Sequence, residues 1–178
     1  MRHPTFRSAR YLISLILLSL AWTMPAVAQD TQMTVTKIGI DLVSHNPVII
    51  LTNKDSRKSL AITIGSFEAT AIALALEGTK TPRPLAHDLM KSVIEVLQAK
   101  LDKVLIHNVV DDTFYAKLFL IDSAGNTLEV DARPSDSIAL ALRTKSPIYV
   151  TEFVLEHQPK NSPEPKTVKQ PVNVGRTL

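Results

Sequence analysis

Asp131, Arg133 and Asp136 put two carboxylates and a guanidinium within six residues of one another. Upstream stand a third acid, Glu68, and the pair His87-Asp88, with Arg83 four residues before the histidine. Carboxylates with a histidine are the raw material for holding a divalent metal ion or for moving a proton to or from a phosphodiester. Arginine adds a planar donor set suited to phosphate or carboxylate. The chemistry these residues point to is therefore acid–base work on a phosphate ester, with Glu68, Asp131 and Asp136 as candidate metal- or water-activating acids and His87 as the proton carrier. Arg133 and Arg83 would steady the charge that builds on phosphate in the transition state.

A simpler reading competes at each position. Ser135 or Asp136 alone would be explained as a helix cap, and Glu68 as an acid in the first turn of a helix, where the dipole favours it. Capping does not account for Asp131 and Arg133 as well, although an Asp–Arg pair also serves as a structural clamp. If the helix that carries His87 reaches back to residue 83, Arg83 and His87 share a face and Asp88 lies about 100° away. The spacing fits no strong metal signature. The sequence holds no glycine-rich phosphate loop, no Gly-x-Ser-x-Gly turn and no cysteine, which removes the P-loop, serine-hydrolase and thiol chemistries.

The elements that must bring these groups together follow from the hydrophobic pattern. Val35, Ile38 and Ile40 alternate with polar neighbours over residues 33–42, as in a half-buried strand. Turn clusters at 44–47 and 54–58 bound two more strands, Val48–Leu51 and Leu60–Ile64, giving a three-stranded meander. Ser66 is a suitable cap for a helix that Gly78 ends. A second helix is expected over about 85–100, with Leu89, Val93, Val96 and Leu97 at helical spacing. Strands at 103–110, 113–121 and 127–131 follow, then a helix to about Arg143, a short strand at 147–150 and a helical turn at 151–156. Ser137-Ile-Ala-Leu-Ala-Leu-Arg143 nearly repeats Ala71-Ile-Ala-Leu-Ala-Leu-Glu77, a partial internal repeat. Meanders interrupted by helices, rather than strict alternation, predict a single α+β domain with mixed or antiparallel strands and two to three packed helices.

The chain ends carry a different composition. Arg2, Arg7 and Arg10 precede an apolar run over 11–22 and then Ala26-Val-Ala28, the pattern of a secretory signal peptide cleaved after Ala28. A run of about a dozen residues is short of the roughly 20 a membrane-spanning helix needs. The expected product starts at Gln29, crosses no membrane, and is periplasmic or secreted. Residues 158–178, with Pro159, Pro163, Pro165 and Pro171, read as a disordered tail, leaving 29–157 as the folded domain.

Charge follows the same division. The whole chain has 20 basic and 17 acidic residues. Three of the arginines fall in residues 1–28, and residues 29–157 then hold 13 basic against 16 acidic groups. The folded part is thus net acidic. It shows no basic stripe, and Phe67, Phe114, Tyr115, Phe119, Tyr149 and Phe153 fall mostly in strand patterns that suit a core. Neither feature is what a nucleic-acid groove usually offers.

Five segments carry a resemblance that covers residues 33–155. Ile64-Gly-Ser-Phe-Glu68, Ala71–Gly78, Arg83-Pro-Leu-Ala-His-Asp-Leu89, Thr113-Phe-Tyr-Ala116 and Asp131-Ala-Arg-Pro-Ser-Asp136 resemble, in order, the motifs of the bifunctional nuclease domain family. The resemblance implies a self-associating α+β domain, a homo-oligomer with nuclease activity on DNA and RNA. It places the family's polar positions on Glu68, Arg83, His87, Asp88, Asp131, Arg133 and Asp136. The alternative is a non-catalytic binding or scaffold module of the same fold, in which the acid–arginine clusters are clamps.

Overall fold

A computed structural model describes residues 29–159; the expected signal peptide and nearly all of the expected tail lie outside them. Three strands come first: β1 (Thr31–Ile40), β2 (Pro47–Thr52) and β3 (Ser59–Thr63). Each pairs antiparallel with the next, as the alternation and turn clusters predict. Four successive β2 residues, Val48 to Leu51, are buried. A strand buried on both faces reads as a continuous apolar run, and here Ile49 and Leu51 join the main core while Val48 and Ile50 pack with Ala61 in a smaller cluster.

Helices α1 (Ser66–Glu77) and α2 (Ala86–Val96) follow. Gly78, at φ 65°, takes the left-handed conformation that stops α1. A second meander consists of β4 (Lys100–Val110), β5 (Thr113–Ile121) and β6 (Thr127–Ala132). Asp111 and Asp112 form its first turn with φ of 47° and 61°, the pair of positive values that a two-residue hairpin of type I′ needs. After β6 come α3 (Pro134–Thr144), β7 (Ile148–Val150) and the short α4 (Glu152–Glu156). The α+β reading holds.

One seven-stranded sheet runs in the order β3-β2-β1-β7-β4-β5-β6. Strand β7 joins the two meanders, antiparallel to β1 and parallel to β4. The repeat helices α1 and α3 pack against each other, and α2 packs on α3. Ile72, Ile138, Leu140, Val104 and Ile106 are fully buried between these helices and the sheet. Among the described residues no helix is long and apolar enough to cross a membrane.

Two details differ from the sequence reading. Helix α2 begins at Ala86, so Arg83 belongs to the proline-bounded connector and shares no helical face with His87. The apolar stripe of α2 also points outward: Leu89, Val93, Val96 and Leu97 are 59, 48, 81 and 70 % exposed. The face turned toward the interior carries the buried His87 and the partly buried Asp88 and Ile94.

Candidate functional site

Strands β3 and β6 are the two edges of the sheet, yet the residues that follow them meet. Glu68 lies in the first turn of α1, directly after β3, and Arg133 precedes α3, directly after β6; Arg133 Nη2 is 3.0 Å from Glu68 Oε1. The right-handed twist of a long sheet wraps its edges toward one another, and here it closes the corner where the polar residues stand. The same Arg133 donates through Nε to Asp136 Oδ2 at 2.6 Å and through Nη2 to Asp136 Oδ1 at 3.1 Å. His87, 8 % exposed, comes in from α2 with Nε2 at 3.1 Å from Asp136 Oδ1. An ionised carboxylate only accepts, so Nε2 carries the proton and donates, and Nδ1 is the nitrogen left for other partners.

Local sequence explains the placement. Pro134 fills the first position of α3, where a missing N–H costs nothing, and Arg133 is the N-cap, with no side chain capping the helix. Asp136, a candidate site acid for which a cap is the simpler sequence reading, makes no cap and turns to Arg133 and His87. Gly65 is the N-cap of α1 in place of the expected Ser66. A Cβ at position 65 would run into the Glu68 carboxylate, so glycine there lets Glu68 fold back at the helix start.

The charges reinforce one another. Burial by itself raises the pKa of Asp136, but the hydrogen bonds from Arg133 and His87 and their positive charge outweigh it, and the carboxyl is held below its ordinary value. The Asp136 hydrogen bond and charge, with Glu68 behind them, raise Arg133 further. Since the folded pKa of Asp136 is depressed, its pairing stabilises the fold fully above the unfolded value of about 3.9, and that contribution fades as pH falls through the lower folded value. The melting-temperature gap between the parent and Asp136→Asn should be widest near neutral pH and close below about pH 4. A gap that stays constant across that range would detach it from ionisation.

Asp88 stands in a separate arrangement. Its Oδ1 accepts from Arg143 Nε at 2.6 Å and its Oδ2 from the Leu85 N–H at 2.9 Å. Burial again opposes ionisation, and the Arg143 and Leu85 hydrogen bonds prevail, so this carboxyl too is held low. Arg143 Nη1 also donates to the carbonyls of Ala71 and Ala139, so one side chain ties α1, α2 and α3 together. Asp131 lies exposed on β6, opposite Lys117, whose amine pairs with Glu129 instead. Arg83 is exposed, its carbonyl accepting from Thr81. The structure thus gathers Glu68, His87, Arg133 and Asp136, sets Asp88 beside them with Arg143, and leaves Asp131 and Arg83 apart.

No three His, Asp or Glu side chains among the described residues lie close enough to share a metal ion. Glu68 and Asp136 are bridged by Arg133, a cation where a metal would need to sit. As it stands the donor set does not fit a divalent ion.

Sequence reasoning passed over Arg143 and gave Ser135 and Phe114 only structural roles, as a possible cap and a core aromatic. Arg143 closes an otherwise apolar repeat, which was its one signal. Ser135 is 6 % exposed, and Phe114, expected in the core, lines a groove beside Arg133. The aromatic residues are less uniformly interior than their strand patterns predict, with Phe67 91 % exposed and Phe153 46 %. His107, on β4, has its Nε2 buried with no partner among the described residues.

Comparison with known proteins places this corner in a wider set. An uncharacterized protein of Mycobacterium tuberculosis is 41 % identical over 124 residues, 70 % of this chain and 73 % of that one. Bifunctional nuclease 1 of Oryza sativa subsp. indica is 29 % identical over 116 residues. Bifunctional nuclease 1 of Arabidopsis thaliana is 23 % identical over the same length. These stretches cover 64 % of this chain but only 35 and 36 % of the plant proteins. The family model described as the bifunctional nuclease domain matches residues 49–162, which takes in both polar arrangements and both repeat helices. The chain belongs to the bifunctional nuclease domain family.

Proposed function

We propose that the protein hydrolyses phosphodiester bonds in DNA, RNA or both, and that it does so outside the cytoplasm. The observation that carries the reading is the His87–Asp136–Arg133 chain of hydrogen bonds in a member of this family. Asp136 fixes the His87 ring and tautomer, as a carboxylate does for a catalytic histidine, and leaves Nδ1 to exchange a proton with water or the leaving oxygen. Arg133, 66 % exposed along its side chain, can turn part of its donor set to a phosphate. Glu68 shares that arginine, and Asp131 and Arg83, which stand apart from the corner, are the candidate water-activating and substrate-binding groups that a bound strand would have to reach. The expected divalent ion would need a carboxylate released from Arg133 or oxygens brought by the substrate. The basic, apolar pattern of residues 1–28 supports export.

The test is an assay of the protein from Gln29 onward on single- and double-stranded DNA and RNA, with and without magnesium, beside His87→Ala and Asp131→Ala. Cleavage by the parent that both changes abolish supports the assignment. Cleavage that survives both changes sinks the site, and no cleavage under any condition sinks the function.

The scaffold reading rests on a specific observation of its own: Glu68, Asp88 and Asp136 are all paired to arginine, as clamps would be. Under that reading the alanine variants melt earlier and there is no activity to lose.

Self-association through α2 fits either reading. Leu89, Val93 and Val96, with Leu97, form an exposed apolar stripe of the kind that packs against a second copy. Val93→Glu is expected to convert a dimer or larger species to a monomer in sedimentation velocity without lowering helix content. A parent that sediments as a monomer at high concentration would refute it.

A further inference from the structure

Beside Arg133 runs a groove of about 450 Å³, within the roughly 300–1,000 Å³ of small-molecule sites. It is lined by the start of α3, with Arg133, Pro134 and Ser135, by the end of β3 and the residues after it, from Ala61 to Gly65, and by the β4–β5 hairpin, with Asp112 and Phe114. We infer that this groove binds a nucleoside monophosphate unit, its phosphate on the α3 end and its base on Phe114. The choice of ligand rests on the phosphodiester reading above.

Three observations assign the phosphate end. Helix α3 has no side-chain cap, so the N–H groups of Ser135 and Asp136 are free, and free first-turn N–H groups with the dipole attract anions. Ser135 is only 6 % exposed, lines the groove, and its hydroxyl has no hydrogen-bond partner among the described residues. A hydroxyl left without a protein partner at the groove wall can donate to an anion oxygen. Arg133 lines the same groove, and its Nη1 makes none of the bonds that tie Nε and Nη2 to Asp136 and Glu68.

Glu68 is the competitor. It holds Arg133 at 3.0 Å, and the arginine side chain is 66 % exposed. Glu68 is itself only 18 % exposed, so a phosphate does best by taking the free Nη1 edge of Arg133 while Glu68 keeps Nη2, and the Glu68 charge lowers its affinity. The hairpin lining suits the rest of a nucleotide. Phe114 packs its inner side against the core and lines the groove, and a base gains from stacking on an aromatic face. Asp112, at the tip of the hairpin, is an acceptor for sugar hydroxyls.

The experiment follows amide shifts of the protein from Gln29 onward in titrations with adenosine 5′-monophosphate, inorganic phosphate and adenosine. Phosphate and the nucleotide should move the Ser135 and Asp136 amides, and the nucleotide alone should also move Phe114. Phe114→Leu, which keeps an apolar side chain, should weaken the nucleotide about tenfold and leave phosphate unchanged. Glu68→Gln, which removes the competing charge, should tighten phosphate severalfold. A 5′-phosphorylated single-stranded oligonucleotide moving the same amides identifies a strand as the source; shifts with the mononucleotide alone identify the free nucleotide. Absence of shifts at 135 and 136, or equal nucleotide binding by Phe114→Leu, overturns the proposal. Shifts without any hydrolysis would keep the groove and end the nuclease reading, whereas hydrolysis without shifts would do the reverse.

Discussion

Asp88→Asn is expected to lower the unfolding free energy by roughly 2–3 kcal/mol, below the ~3–5 of a fully buried pair because Asp88 keeps partial exposure. The cost falls on Arg143, whose side chain is 8 % exposed against 36 % for Asp88. Without the carboxylate its charge stays inside, held by two carbonyl oxygens of α1 and α3. Asparagine preserves the shape and the acceptor for the Leu85 N–H, so the loss reports the ion pair rather than the helix start. Urea titration should show a lower midpoint with an unchanged slope. Activity per folded molecule should persist, which would make Asp88 a clamp rather than a catalytic acid. An unchanged midpoint with lost activity would reverse that assignment.

The fold was largely legible because its signals are local. β-Branched runs, turn clusters, Gly78 and Pro134 at the first position of α3 each dictate structure within a few residues. The fate of the α2 stripe was not, because Leu89, Val93 and Val96 have the spacing of a core-facing helix whether the covering surface is their own sheet or something else. Only the tertiary placement, with His87 and Ile94 turned inward, settles that the stripe lies outside.

The site divides along the same line. Asp136 and Arg133 are three residues apart and their pairing is a local matter. Glu68 reaches Arg133 only because the sheet wraps its opposite edges together, and His87 reaches Asp136 across 49 positions of sequence. No spacing rule encodes those meetings. Asp131 illustrates the converse: it sits in the same six-residue segment as Asp136, but strand β6 leaves it exposed while the turn into α3 carries Asp136 inward. Proximity in sequence suggested one cluster where strand geometry makes two environments.

His87→Gln should reduce phosphodiester cleavage by about 10²–10⁴-fold, the span of a lost general acid–base group. Glutamine is chosen over alanine because His87 is nearly buried, and an empty site would mix a packing loss with the chemical one. The amide can still donate to Asp136, so Asp136 and Arg133 keep their places while the titrating group disappears. A merely structural histidine would be rescued by this change; a proton carrier would not. The pH–rate profile separates the two further, since the limb that reports the histidine should vanish from whatever activity remains. Asp136→Asn supplies the complementary case. It leaves the imidazole but removes the carboxylate that fixes the ring, so its rate should fall while the limb that reports the histidine survives. Full activity in His87→Gln, with the parent's profile, would remove His87 from the chemistry and leave the His87–Asp136–Arg133 chain as a structural tie.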